Sequence, residues 1–157
     1  MSSTTGPKVF RWALLIESAG NIGSIIPLIL APRATLSYLT RNPAFDTPTA
    51  VSLVQWIGAL IVVPTIPLIM AYPEPTASQP PSLVIGRRRT AYLTLGVSEV
   101  ALAILMMGQY LAGDSGLDDK ILLSATATFT LLVGMRGYFL YVRPEWMAPT
   151  SSSSKAR

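Results

Sequence analysis

The chain of 157 residues has no cysteine and no histidine, and only 13% of its residues are charged. The first two absences exclude disulfides, thiol redox chemistry, Cys/His zinc sites, haem held by histidine and the histidine-box di-iron enzymes. The low charge is roughly half that of an ordinary soluble domain. With 50% of residues hydrophobic, it argues against a soluble globule. Also missing are an N-glycosylation acceptor, a P-loop, a dinucleotide fingerprint and a nucleophile elbow, and Gly20 to Gly23 lacks the strand-turn-helix context of a phosphate-binding loop. Nucleotide chemistry is therefore not expected. Nor is a nucleic-acid partner, because Arg87, Arg88 and Arg89 stand together without the interleaved aromatics of a stacking platform. They read as a topology signal.

What is present is apolar sequence in four long runs, 10–31, 50–72, 91–112 and 121–142. Each reaches the roughly 20 residues that a helix needs to cross hydrocarbon. Glu17 and Asn21 interrupt the first run and Pro32 follows it, so it reads as a span and not as a cleaved signal. An all-α polytopic membrane protein is expected, with four transmembrane helices in a bundle as a single domain over 1–150 and a disordered serine-rich tail at 151–157. Lys8, Arg11, the Arg87 to Arg89 run, Arg143, Lys155 and Arg157 fall on one side, and Arg33, Arg41 and Lys120 on the other. The positive-inside rule then puts both termini in the cytosol. The external loops are 32–49 and 113–120, the second carrying Asp114, Asp118 and Asp119, and the cytosolic loop 73–89 is proline-rich. Trp12, Tyr72 and Trp146 are expected at the membrane interfaces. In a eukaryotic cell the endoplasmic reticulum is the expected membrane.

Three ionisable residues, Glu17, Glu99 and Arg136, lie well inside the runs. A charge there costs several kcal/mol unless it is paired, neutralised or hydrated. At about 1.5 Å per helical residue, Glu17 sits roughly 10 Å, Glu99 roughly 12 Å and Arg136 roughly 9 Å from the same membrane face. Three helices thus place their charges in one layer. Two carboxyls sharing one guanidinium leave excess negative charge, so one of them is expected to hold a proton and to act as general acid beside an ionised partner. On a helical wheel Gly20, Asn21 and Ser24 join Glu17 in a polar stripe expected to face inward. Tyr92, Met106 and Tyr110 join Glu99 as an apolar, aromatic wall, and Gln55 with Trp56 adds a cavity wall from the second span. The bland reading of the charged layer is a buried ion pair that fixes helix register.

Pro27, Pro64 and Pro67 are expected to kink the first two spans. Thr126, Thr130 and Gly134 form a small-xxx-small ladder on the fourth, a face that would pack on an adjacent span or, in a homodimer, on a second copy. In size, span count and serine-rich tail, the whole chain resembles the small four-span integral membrane proteins of fungal biosynthetic gene clusters. Anthrone-oxygenase-like and DoxX-like proteins share this layout, and membrane terpene cyclases are similar in using intramembrane carboxylates. The similar four-span sterol isomerases use a histidine, which this chain lacks.

The function expected is a membrane-embedded tailoring enzyme that isomerises, cyclises or enolises a hydrophobic polyketide, terpenoid or sterol-like molecule by proton transfer, or oxygenates it through a carbanion. It would use no cofactor or metal. Its catalytic residues would be Glu17, Glu99 and Arg136, and its substrate-binding residues Asn21, Ser24, Gln55, Trp56, Tyr92, Met106 and Tyr110. Lipid would be its surroundings. The alternatives are a non-catalytic membrane adaptor and, third, a small proton-coupled transporter, against which stands the offset of the charges from the midplane.

Overall fold

The computed structural model describes residues 5–76, 79–113 and 115–149. The serine-rich tail with Lys155 and Arg157, and Asp114, lie outside the described residues. Among those described, the chain is helical and forms no strand. Four helices are long and apolar enough to cross a membrane, Thr5–Leu30, Pro48–Ala71, Pro81–Ala112 and Asp119–Val142.

Prolines and caps set the boundaries. Helix α1 (Thr5–Leu30) ends where Pro32 opens a short helix, α2 (Pro32–Leu39), at the first-turn position where a missing N–H costs nothing. The stretch 32–49 is thus partly helical and not a plain loop: Leu36 of α2 is buried and α2 packs on α1 and α3. The second long helix is two pieces, α3 (Pro48–Leu60) and α4 (Val62–Ala71), capped at its start by the Thr47 hydroxyl, which accepts from the Ala50 N–H at 3.2 Å. The break at Ile61 falls where Pro64 cannot donate to the Leu60 carbonyl and its ring crowds it. Pro27 and Pro67 stay inside continuous helices.

Helix α5 (Pro81–Ala112) begins ten residues before the apolar run, so Arg87, Arg88 and Arg89 belong to a helix and not to a loop. Pro81 starts it and Gly113, at φ 73°, closes it in the left-handed conformation that glycine adopts without a Cβ penalty. Helix α6 (Asp119–Gly137) is capped by Asp118, whose carboxylate accepts from the Lys120 N–H at 2.8 Å. It runs into a π-helical turn, Tyr138–Val142, that is not the continuous α-helix implied by the apolar run. A 3-10 turn, Pro144–Met147, then folds back on the start of α1.

α1 packs on α3, α4 and the Pro144–Met147 turn, α4 on α5, and α5 along α6. At one end of the molecule α2 is tied to the segment before α6. The Arg41 N–H donates to the Gly116 carbonyl at 3.1 Å, the Asp118 N–H to the Leu39 carbonyl at 2.9 Å, and the Arg41 guanidinium pairs with Asp119. At the other end Phe10, Tyr92, Phe139, Leu68, Leu95 and Met147 form the core, with Trp146 against it.

Trp146 is therefore a packing residue. Its ring centroid lies 5.7 Å from that of Tyr138 and 6.0 Å from that of Phe139, because Pro144 turns the chain back. Trp12, by contrast, is 63% exposed. Gly6 is where α1 meets the Trp146 ring: a Cβ there would come within 2.4 Å of the ring. Gly6→Ala should cost about 1–3 kcal/mol through overpacking. Gly20→Ala, where a Cβ would touch nothing within 4 Å, should be neutral or stabilising as a helix-favouring change. Thermal midpoints of the two variants in one detergent check the pair, and equal midpoints would contradict the packing of Trp146 on Gly6.

Candidate functional site

The site is a polar cluster at the junction of α1, α5 and α6. Each member is set by helical register. On α5 the buried stripe runs Val84, Arg88, Ala91, Tyr92, Leu95 and Glu99, the spacing of one helix face. On α6 only Leu122 and Arg136 are fully buried, and on α1 the stripe Gly6, Phe10, Leu14 leads to Glu17 one turn on. Gly96 lets α5 accept the Arg136 side chain, whose Cδ lies 3.5 Å from where a Gly96 Cβ would stand.

Arg136 is 3% exposed and holds both glutamates. Its Nε donates to Glu99 Oε2 at 2.6 Å and its Nη2 to Glu99 Oε1 at 2.6 Å, a bidentate pair. Nη2 also donates to Glu17 Oε2 at 2.8 Å. The Tyr92 hydroxyl donates to the remaining Glu17 oxygen at 3.1 Å, and the Tyr92 ring lies under the guanidinium at 4.7 Å. All four carboxyl oxygens have a donor, whereas Nη1 of Arg136 is buried without an acceptor among the described residues. Beside the cluster, between α5 and α6, is a groove of about 300 Å³ whose walls include Tyr92, Gly96, Val97, Val133, Arg136 and Gly137. A larger groove of about 560 Å³ between α4 and α5, lined by Pro67, Leu83, Gly86 and Arg87 among others, does not reach Arg136, and Glu17 and Glu99 line neither groove.

The structure brings Glu17, Glu99, Arg136 and Tyr92 together, and leaves the other candidate binding residues apart from them. Ser24 is exposed and its hydroxyl donates to the Asn21 carbonyl at 2.7 Å. Gly20 is exposed too, so the polar stripe of α1 faces outward past Glu17, and Asn21 is only half-buried. Gln55 donates to the Ile29 carbonyl at 3.3 Å, tying α3 to the far end of α1, and Trp56 is 66% exposed. Met106 and Tyr110 lie further along α5 and line neither groove. The Thr126, Thr130, Gly134 ladder is spent on its own helix or left open: Thr126 and Thr130 donate to carbonyls one turn back, and Gly134 has nothing within 4 Å of a Cβ.

Sequence reasoning missed a second buried arginine. Arg88 is fully buried. Its guanidinium donates to the carbonyls of Ala71 at 3.0 Å, Met147 at 2.9 Å and Ala148 at 3.3 Å, and pairs with Glu74 at 3.3 Å. Arg11 pairs with the same Glu74 oxygen at 3.4 Å and lies over the Tyr72 ring at 4.6 Å. Phe10 stands under Arg88 at 5.6 Å and against Tyr92 at 5.0 Å. Arg88, Phe10, Tyr92 and Arg136 therefore form one stacked column from the end of the molecule into the site. Compared with models of known families, with curated proteins and with solved structures, the chain matches none.

Proposed function

We propose that the chain is an integral membrane enzyme, a four-helix bundle with cytosolic termini, that acts on a hydrophobic small molecule by proton transfer, as expected of a tailoring isomerase or cyclase. The observation that carries this reading is the Glu17–Tyr92–Arg136–Glu99 cluster beside an apolar groove. Glu99 has both oxygens on Arg136, which suits a positioning role. Glu17, with one oxygen on Arg136 and the other on a hydroxyl, suits the residue that takes a proton from one carbon of the substrate and returns it to another. Such a step conserves atoms and electrons without a co-reactant. Its setting would be the endoplasmic reticulum of a eukaryotic cell.

A second reading, a non-catalytic adaptor, is favoured by the full pairing of the four carboxyl oxygens, which an ion pair kept only for register would also show. Apolar metabolites of the native host separate the two, with the gene intact, deleted or carrying Glu17→Gln, and with membrane levels of the variant checked. The proposal expects deletion and Glu17→Gln to accumulate the same precursor. A metabolite change on deletion but not in Glu17→Gln would favour the adaptor, and no change in either strain would remove small-molecule tailoring altogether.

A further inference from the structure

We infer that the groove between α5 and α6 binds an apolar molecule through a neutral carbonyl oxygen, which accepts a hydrogen bond from Nη1 of Arg136. The inference deepens the proposed function and rests on it for the link to chemistry, but binding itself requires no turnover. Two observations on one residue carry it. Nη1 is a charged donor on a side chain 3% exposed, with no acceptor among the described residues, although the other two guanidinium nitrogens make three hydrogen bonds to carboxyls. A buried donor left unmade costs the desolvation of that group, so a ligand supplying an acceptor recovers it. The same arginine lines a groove of about 300 Å³, the lower end of the range for small-molecule sites.

The lining narrows the chemistry. Apart from Arg136 and the two tyrosines, Tyr92 and Tyr141, every wall residue is glycine, valine or leucine. An apolar skeleton is thus required, with its polar atom confined to one end. A cationic ligand is opposed by the guanidinium, and a carboxylate would be a third carboxyl on the one guanidinium that Glu17 and Glu99 already share. A ketone or aldehyde satisfies Nη1 without either cost. Bound so, its carbonyl would be polarised by the same guanidinium that holds Glu17.

Photolabelling of the full chain in phosphatidylcholine vesicles tests this, using benzophenone, itself an apolar ketone whose excited carbonyl inserts into neighbouring C–H bonds. Label is expected in peptides from 93–100 and 133–141. Excess fluorenone should reduce it, and fluorene, the same skeleton without oxygen, should compete about tenfold less well, the factor that one hydrogen bond is worth. Gly137→Leu, where a Cβ meets nothing within 4 Å, and Val97→Trp should each fill the groove from one wall and abolish the label there. Even labelling of all four long helices, equal competition by fluorene, or unchanged label in both variants would overturn the inference. Groove labelling with no effect of Glu17→Gln on metabolites would leave the binding site standing and remove the proton-transfer reading. The reverse pattern would remove the site and keep the reaction.

Discussion

Arg136→Met is expected to lower stability by about 3–5 kcal/mol, as removal of one partner of a buried ion pair does. The loss is large against the roughly 5–15 kcal/mol that holds a typical fold. The cause is what remains: Glu17 and Glu99, both nearly buried, keep only the Tyr92 hydroxyl between them as a side-chain donor. Replacing Arg136 by Met, Glu17 and Glu99 by Leu and Tyr92 by Phe together should recover most of the loss, because the whole network is then exchanged for apolar groups of similar volume. Tyr92→Phe belongs in the set, since its hydroxyl would otherwise lose its acceptor at a cost of about 1–3 kcal/mol.

Unfolding of each protein by denaturing detergent in mixed micelles measures the difference. If Arg136→Met is no less stable than the quadruple variant, the carboxyls do not depend on Arg136 and the cluster is misread. The quadruple variant also bears on function: stable and inserted, it should fail to restore the metabolites of a deletion strain. Restoration would mean that the cluster serves the fold alone.

The convergence of these groups was legible in the sequence because it needs only two regularities, the rise per residue and the 100° turn. Counting depth along three apolar runs put Glu17, Glu99 and Arg136 at one level, and all three side chains meet there. The same arithmetic should have removed Met106 and Tyr110. They share a face with Glu99 but lie about 10 and 16 Å further along the helix, too far for one site. Facing direction was harder. Gly20 and Ser24 continue the stripe of Glu17, yet face outward, because a polar stripe in an apolar helix does not itself say which neighbour covers it.

Boundaries set by composition failed where polar residues are helical. The apolar run suggested that α5 starts at Ala91, but Pro81 starts it, which is why the arginine triplet looked like a loop. The π-helical turn after Arg136 has no sequence signature at all. It rests on the Arg143 N–H reaching the Tyr138 carbonyl at 2.8 Å, and both Phe139 and Leu140 are buried within it.

Arg88 was nonetheless findable. It lies four, seven and eleven residues before Tyr92, Leu95 and Glu99, so it sits on the buried face of α5, whereas Arg87 and Arg89 are turned about 100° to either side. Its guanidinium ties together the end of α4, Glu74 and the Met147–Ala148 backbone. Arg88→Leu should therefore cost about 3–5 kcal/mol, since Glu74 loses a charged partner and buried carbonyls lose their donor. Arg88→Lys should fall between Leu and the native residue: a lysine keeps the charge but lacks the planar fork that reaches several acceptors at once. Exposed Arg89→Leu should stay within about 0.5 kcal/mol of native. A second readout follows from what Arg88 holds. Once the Met147 and Ala148 carbonyls are released, the Pro144–Met147 turn loses its tether, and chymotrypsin should cut after Trp146 far faster in Arg88→Leu than in Arg89→Leu. Equal cleavage and equal stability in the two variants would leave Arg88 no role in the fold beyond that of its two neighbours in the triplet.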